Sequence, residues 1–290
     1  MKKNHLFLFV LMVLIAQVSF TSCKKDGVYR PDEKIAAIYT SSYWVYGGET
    51  IMLSEKTLTE KWTWGKKDLE QITLHSGNTV FATLTFSYDK GKLSEIMTTG
   101  KNSSSKAVFS YKNSKLTRVE NFEGSTLMYV YEVVEREKGK ITKVEVSMDE
   151  LINKSADAKI LKEQMAIVSR FFFPENAFDQ LFEILEKSDS KALGKPITIT
   201  YTYSGDNIIT SNMDGEIINY QHDTKNNPYY KSFYVENDIA FSKNNIVATT
   251  VGNSTTTYEY KYDNDWPIER TSKVSSMGAT MYNATYYEYK

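Results

Sequence analysis

The sequence has one cysteine, Cys23, and three histidines, of which His75 and His222 follow that cysteine. A chain with a single cysteine cannot form an internal disulfide, so its stability must come from a packed core. The two histidines stand far apart and show none of the paired spacings that zinc sites use. We therefore expect no metal site and no cofactor. We interpret His222 as a partly buried structural residue of a strand and His75 as a turn residue.

Several catalytic motifs are also missing. The sequence contains no GxSxG elbow, P-loop or GxGxxG turn, which removes the usual scaffolds of acyl transfer and nucleotide chemistry. Lysine and arginine total 35 against 36 acidic residues, and the basic residues are scattered. This balance gives no argument for a nucleic-acid partner. The acidic turns at 214–216 and 263–265 lack the ligand count of a calcium loop, and hairpin turns account for them.

The first 23 residues have the layout of an export signal. Two lysines precede an unbroken apolar run at 6–16, which is shorter than the roughly 20 residues that span a bilayer. We interpret residues 1–22 as a signal peptide. Thr21 and Ser22 directly before Cys23 resemble the lipobox of bacterial lipoproteins, although Phe20 replaces the usual leucine. This resemblance implies that Cys23 is acylated, for example with palmitate, and anchors the chain in a membrane of the cell envelope. We expect the outer membrane, on either its periplasmic or its surface side.

Residues 23–34 are charged and carry a glycine and a proline, which predicts a lipidated N-terminus followed by a solvated tether. From residue 35 onward the sequence alternates between apolar and polar positions. In ITITYTY at 197–203, for example, isoleucines and tyrosines occupy one face and three threonines the other. A period of two in β-branched and aromatic residues predicts half-buried strands, which favours antiparallel pairing.

The strands also repeat as a unit. Each unit is a strand ending in aromatic-x-Tyr, a tight turn rich in Gly, Asn or Asp, and a returning strand that an aliphatic residue opens. It occurs at 86–93, 109–116, 201–208 and, more loosely, 260–268; a version with a longer turn runs from 129 to 141. Gly, Asn and Asp suit these turns because they tolerate positive φ. The repeat predicts successive hairpins, hence a β-meander.

One segment breaks this pattern. Between about 150 and 187 the apolar residues recur at helical spacing and predict two helices. We expect a mainly β fold with one domain at 35–290: an antiparallel meander, curved into an open sheet or partial barrel, with the inserted helical pair packed on one face. Two sheet subdomains separated by the helices are the alternative.

The sequence resembles a known but uncharacterised group. The lipobox, the Tyr-x-Tyr-Asp turns, the stretch HDTKNNPYY at 222–230 and SKNNI at 242–246 are similar to Bacteroidetes-type cell-envelope lipoproteins that carry YD-like repeats. The resemblance implies an envelope location and a β-type fold. It implies no catalytic residue.

The sequence is rich in aromatic residues, with 21 tyrosines, 14 phenylalanines and 4 tryptophans. This content indicates a binding function. Tyr229, Tyr230 and Trp266 lie beside prolines, where a strand ladder is interrupted, and we select them as candidate ligand-binding residues. Their alternative role is to fix loops to the sheet. We expect a non-enzymatic binding or structural module whose partner is a glycan or an envelope protein. The alternatives are a carrier of hydrophobic ligands in a half-barrel cavity and a hydrolase that uses two acidic residues, which the sequence does not identify.

Overall fold

The computed structural model describes residues 26–46, 48–100, 104–147, 196–213, 215–232, 237–276 and 279–290. These residues form antiparallel strands and one short helix. In chain order, the elements are β1 Ile35–Tyr46, β2 Glu49–Trp64, β3 Leu69–Ser76, β4 Thr79–Asp89, β5 Lys92–Gly100, β6 Ser104–Lys112, β7 Lys115–Glu123, β8 Thr126–Glu137, β9 Lys140–Ser147, β10 Ile197–Ser204, β11 Asn207–Met213, β12 Glu216–Asn226, α1 Asn237–Phe241, β13 Asn244–Val251, β14 Ser254–Asp263, β15 Trp266–Ser276 and β16 Ala279–Tyr289. In the described part of the chain, no helix is long and apolar enough to cross a membrane.

The strands close into a barrel. Each strand pairs with its neighbours in the chain, and β16 pairs with β1 from Ile35 opposite Tyr289 to Tyr46 opposite Ala279. The antiparallel meander is confirmed, but the prediction of a partial barrel is wrong, because β1 and β16 complete the hydrogen-bond ladder. The described strands form one continuous barrel, so the alternative of two separate sheet subdomains is wrong. The helical pair expected at 150–187 lies outside the described residues.

The repeated hairpin unit has a structural explanation. In seven pairs of neighbouring strands, a side chain near the end of one strand donates a hydrogen bond to a backbone carbonyl at the start of the preceding strand. These bonds are Trp64 to Ile35 (2.7 Å), Tyr88 to Leu69 (2.8 Å), Tyr111 to Leu93 (2.7 Å), Arg136 to Leu116 (2.8 Å), Tyr203 to Ile141 (2.8 Å), Tyr260 to Ile246 (3.0 Å) and Tyr289 to Pro267 (2.8 Å). Each bond joins two strands at the end where no direct turn connects them.

The inner and outer faces of the strands differ in polarity. The inner face supplies a single apolar cluster that includes Ile72, Leu84, Val119 and Ile199, all essentially inaccessible to solvent. The outer face carries ion pairs: Lys261 pairs with Glu269 on the next strand at 2.9 Å, while Arg118 with Glu120 (3.1 Å) and Lys143 with Glu145 (3.8 Å) each pair along one strand. Charged groups facing lipid at mid-bilayer depth cost about 2–4 kcal/mol each. The outer face of these strands is therefore suited to contact with water.

One end of the barrel is covered by residues 26–34, 227–232 and 237–243, which we call the cap. Asp26 accepts a hydrogen bond from the Leu116 amide at 2.8 Å and pairs with Arg136 at 2.6 Å. Tyr29 is buried, and its hydroxyl donates to the Pro228 carbonyl at 2.6 Å. Residues 26–29 thus pack against the barrel instead of forming part of a solvated tether, whereas Arg30, Asp32 and Glu33 are exposed. The charged composition of this segment predicted solvation, but the Asp26 carboxylate is paired with Arg136 on the barrel.

Candidate functional site

The three aromatic residues selected from the sequence all lie at the capped end, but they do not share one environment. Tyr229 packs on the interior, with its ring centroid 6.3 Å from Trp62 and 6.2 Å from Tyr287. Its contacts make it a residue that fixes the cap to the barrel. Tyr230 and Trp266, in contrast, line the same open cleft, of about 750 Å³.

The cap positions these two rings through a polar network around Asn227. The buried Asn227 amide donates to the carbonyls of Ile239 (2.7 Å) and Ser242 (2.8 Å), and its oxygen accepts from the Tyr229 amide (2.9 Å). This network fixes the backbone immediately before Tyr230. Buried amides that satisfy several backbone groups in this way hold irregular segments rigidly.

A second set of contacts positions Trp266. The Asn226 amide donates to the Asp265 carbonyl at 3.0 Å, and Lys225 pairs with the Asp265 carboxylate at 2.7 Å. The Trp266 ring then rests edge-on against Tyr289, at a centroid distance of 6.1 Å. The end of β12 and the β14–β15 turn are thereby held together, and the cleft lies between rigid elements.

The cleft is rich in positive charge. Its lining includes five cationic side chains and one carboxylate, Asp32; the cations are Arg30, Lys90, Lys92, Lys231 and Lys243. Sequence reasoning missed this set because its members are distributed between residues 30 and 243. They come together only because the cap and two hairpin turns meet at one end of the barrel.

Two small cavities lie inside the barrel where described residues bound it. An interior cavity beside Tyr220, Asp238 and Arg270 holds about 30 Å³, and a second one beside Tyr29 and Phe86 holds about 10 Å³. Sites for ligands of drug size occupy about 300–1,000 Å³. Neither of these two cavities is therefore large enough for a lipid.

The larger of the two interior cavities also does not contain an acidic pair. Asp238 is the one carboxylate among the described residues that line it. Burial, and next the charge of Asp238, raise the pKa of the Tyr220 hydroxyl well above its ordinary value. A glycosidase-type mechanism needs two facing carboxyl groups, so this cavity does not support a hydrolase.

The two histidines occupy strands. His222 is half-buried on β12, as predicted, and burial lowers its pKa to about 4, while the nearby Asp223 opposes that shift. His75 lies in β3, before the turn at Gly77, and contacts the Thr73 hydroxyl at 2.9 Å, so its interpretation as a turn residue is wrong. Across the described ranges, no three His, Cys, Asp or Glu side chains are grouped so that they could hold a metal ion.

An apolar surface lies at the end of the barrel opposite the cap. The β1–β2 hairpin extends there beyond β3, because β3 pairs with β2 only from Glu60 onward. Its exposed large apolar residues are Trp44, Tyr46, Ile51, Met52 and Leu53. Exposed apolar groups clustered in this way are typical of surfaces that contact other molecules.

Comparisons with known proteins give structural similarity only. No protein-family profile matches the sequence, and no curated protein matches it. Solved structures similar to the chain include a porin-like protein from Bacteroides uniformis ATCC 8492, with 12% identity, a TM-score of 0.47, and coverage of 88% of this chain and 98% of that one. A porin-like protein from Bacteroides vulgatus ATCC 8482 has 12% identity, a TM-score of 0.36, and coverage of 89% and 99%.

Proposed function

We propose that this protein is a lipid-anchored, non-enzymatic binding protein of the cell envelope and that the cleft of the capped end binds a glycan. The observation that carries the proposal is the placement of Tyr230 and Trp266 in one cleft of about 750 Å³. That size lies within the range of sites that accommodate small ligands.

The chemistry of the cleft suits a saccharide. An aromatic ring offers an apolar face to the C–H groups of a sugar, while neighbouring polar groups hydrogen-bond its hydroxyls. Tyr230 and Trp266 supply the rings, and Asn226 contributes polar lining. Because the network around Asn227 already holds the cap, little conformational entropy is lost when a ligand binds.

The envelope location rests on the N-terminal sequence and on the barrel surface. The lipobox-like Thr21-Ser22-Cys23 supports a lipid anchor at Cys23. The charged outer face supports a domain that lies outside the bilayer. We propose an outer-membrane anchor for this domain.

Substitution of the aromatic residues tests the proposed binding site. Tyr230→Ala and Trp266→Ala should remove retention on a glycan array and leave the melting temperature within a few degrees of the wild type. Tyr229→Ala is the matched control: it removes an interior ring and should lower the melting temperature by several degrees. If Tyr230→Ala and Trp266→Ala instead destabilise the fold and the wild type retains no glycan, the proposal is wrong. Retention of an envelope protein in a pull-down, with no glycan bound, would identify a protein partner instead.

A further inference from the structure

We propose that the glycan bound in this cleft is acidic and that its carboxylate or phosphate groups are bound by the cationic residues of the lining. This inference rests on the proposed function, since it names the class of ligand for the same site. The chain as a whole is nearly neutral, with 35 basic and 36 acidic residues. The lining of the cleft, in contrast, has five cationic side chains and one carboxylate.

The five cationic side chains differ in whether a carboxylate of the protein already pairs with them. The Nε of Arg30 donates to the Asp68 carboxylate at 2.8 Å. Within the described ranges, neither Lys90 nor Lys243 forms an ion pair with a carboxylate. These two lysines are the side chains best placed to meet an incoming anion.

Two further lysines lie over tyrosine rings. The Nζ of Lys92 is 5.2 Å from the ring centroid of Tyr111, and the Nζ of Lys231 is 5.0 Å from that of Tyr230. A cation–π contact orients an ammonium group and leaves its charge intact. At Tyr230 this contact places a positive charge over one face of a ring that we propose to contact the sugar.

The backbone at the edge of the cleft fixes Lys90. Lys90 and Gly91 both have positive φ, 50° and 74°, in the β4–β5 turn. Beneath this turn, the Leu93 amide donates to the Gly27 carbonyl at 2.8 Å, which ties the hairpin to the cap. The turn therefore presents Lys90 from a fixed position on the barrel.

The shape of the site favours a soluble acidic saccharide over the surface of a membrane. A bilayer presents a flat array of headgroups and is contacted by residues that protrude. The cations here line a concave cleft together with Tyr230 and Trp266, an arrangement that encloses a small group of complementary charge. Binding of such a ligand should weaken as salt concentration rises, because the charges are accessible to solvent.

The experiment compares saccharides that differ only in charge. Full-length protein carrying Cys23→Ser, so that no lipid on the cysteine binds vesicles, is tested against oligogalacturonate and its methyl ester, and against immobilised mannose 6-phosphate and mannose. We expect at least one acidic member to bind about tenfold more tightly than its neutral match at low salt. The substitution pair Lys90→Gln and Lys243→Gln should remove that preference. Lys138→Gln is the matched control, since Lys138 also has a φ of 50° and precedes Gly139 in the equivalent β8–β9 turn.

The possible results separate this inference from the proposed function. If the acidic and neutral saccharides bind equally and Trp266→Ala removes the binding of both, the ligand is not selected for its charge. The proposal of a glycan site in the cleft would still stand. Binding to phosphatidylcholine vesicles that contain phosphatidylglycerol, with no saccharide retained, would replace the glycan by a lipid headgroup. Retention of no saccharide and no vesicle would overturn both proposals.

Discussion

At the scale of single residues, His222 makes the stability of the barrel depend on pH. Burial lowers the pKa of this histidine to about 4, so the folded state favours the neutral imidazole. The unfolded chain, with a pKa of about 6.5, binds more protons between these values. The contribution of His222 to stability is therefore present above about pH 6.5 and is lost as the pH falls toward 4. His222→Gln should reduce the fall in the urea midpoint between pH 7.5 and pH 4.5, measured by fluorescence.

Replacement of the other histidine on the described strands provides the control. His75→Gln is measured in the same way. If the urea midpoint falls between pH 7.5 and pH 4.5 by the same amount in His222→Gln and His75→Gln, the pH dependence of stability does not come from His222.

The candidate site could be predicted from the sequence only in part, for reasons visible at single residues. Pro228 follows the end of β12, as expected, whereas Pro267 lies within β15 and pairs with Tyr262, so the ladder is not interrupted there. Two of the three aromatic residues selected beside these prolines do line the cleft. The same rule selected Tyr229, which faces Trp62, because adjacency to a proline does not determine the direction of a side chain. Lys90 and Lys243 carried no signal, since exposed lysines occur throughout the chain.

At the scale of elements, the five tyrosines whose hydroxyls donate to a carbonyl of the preceding strand are expected to stabilise the barrel through those hydroxyls. Tyr111→Phe keeps the half-buried ring and removes the hydrogen bond to the Leu93 carbonyl, which leaves that acceptor without its partner. The free energy of unfolding should fall by about 1–2 kcal/mol. Tyr203→Phe should give a similar loss, because its hydroxyl donates to the Ile141 carbonyl in the same way. Chemical denaturation measures both.

The control for these substitutions is an exposed tyrosine. Tyr46→Phe, at a residue that is 62% exposed, should change the free energy of unfolding by less than about 0.5 kcal/mol. Losses of equal size in Tyr46→Phe and Tyr111→Phe would show that the hydrogen bonds do not stabilise the hairpins.

Hairpins could be predicted from the sequence, whereas closure of the barrel could not. A hairpin is encoded locally: the alternation in 197–203 and the turn residues that follow it lie within one stretch of chain. Closure depends on the pairing of Ile38 with Tyr287 and its neighbours, which lie at opposite ends of the domain. Period-two alternation is the same in an open sheet and in a closed barrel, so it does not discriminate between them.

At the scale of the whole molecule, the polarity of the outer face predicts folding without detergent. Residues 23–290 carrying Cys23→Ser, produced without the leader, should be monodisperse in aqueous buffer and give a strand-type circular dichroism spectrum. Charged pairs such as Lys261 with Glu269 on the outer face are stable in water and costly in lipid. Aggregation that only detergent relieves would contradict the assignment of this face to water.

The cap also predicts how the anchor holds the barrel. Asp26 is fixed to the barrel through Leu116 and Arg136, and Cys23 lies three residues before it in the sequence. Three extended residues span about 10 Å, so a lipid on Cys23 would hold the capped end close to the membrane. We expect a fatty-acid probe to label the wild type and not Cys23→Ser, and the wild type alone to sediment with membranes. Lys138→Gln, at an exposed turn lysine, should be labelled like the wild type. Labelling of Cys23→Ser, or an intact leader on the exported wild type, would contradict this anchor, and the cleft would then have no fixed distance from the membrane.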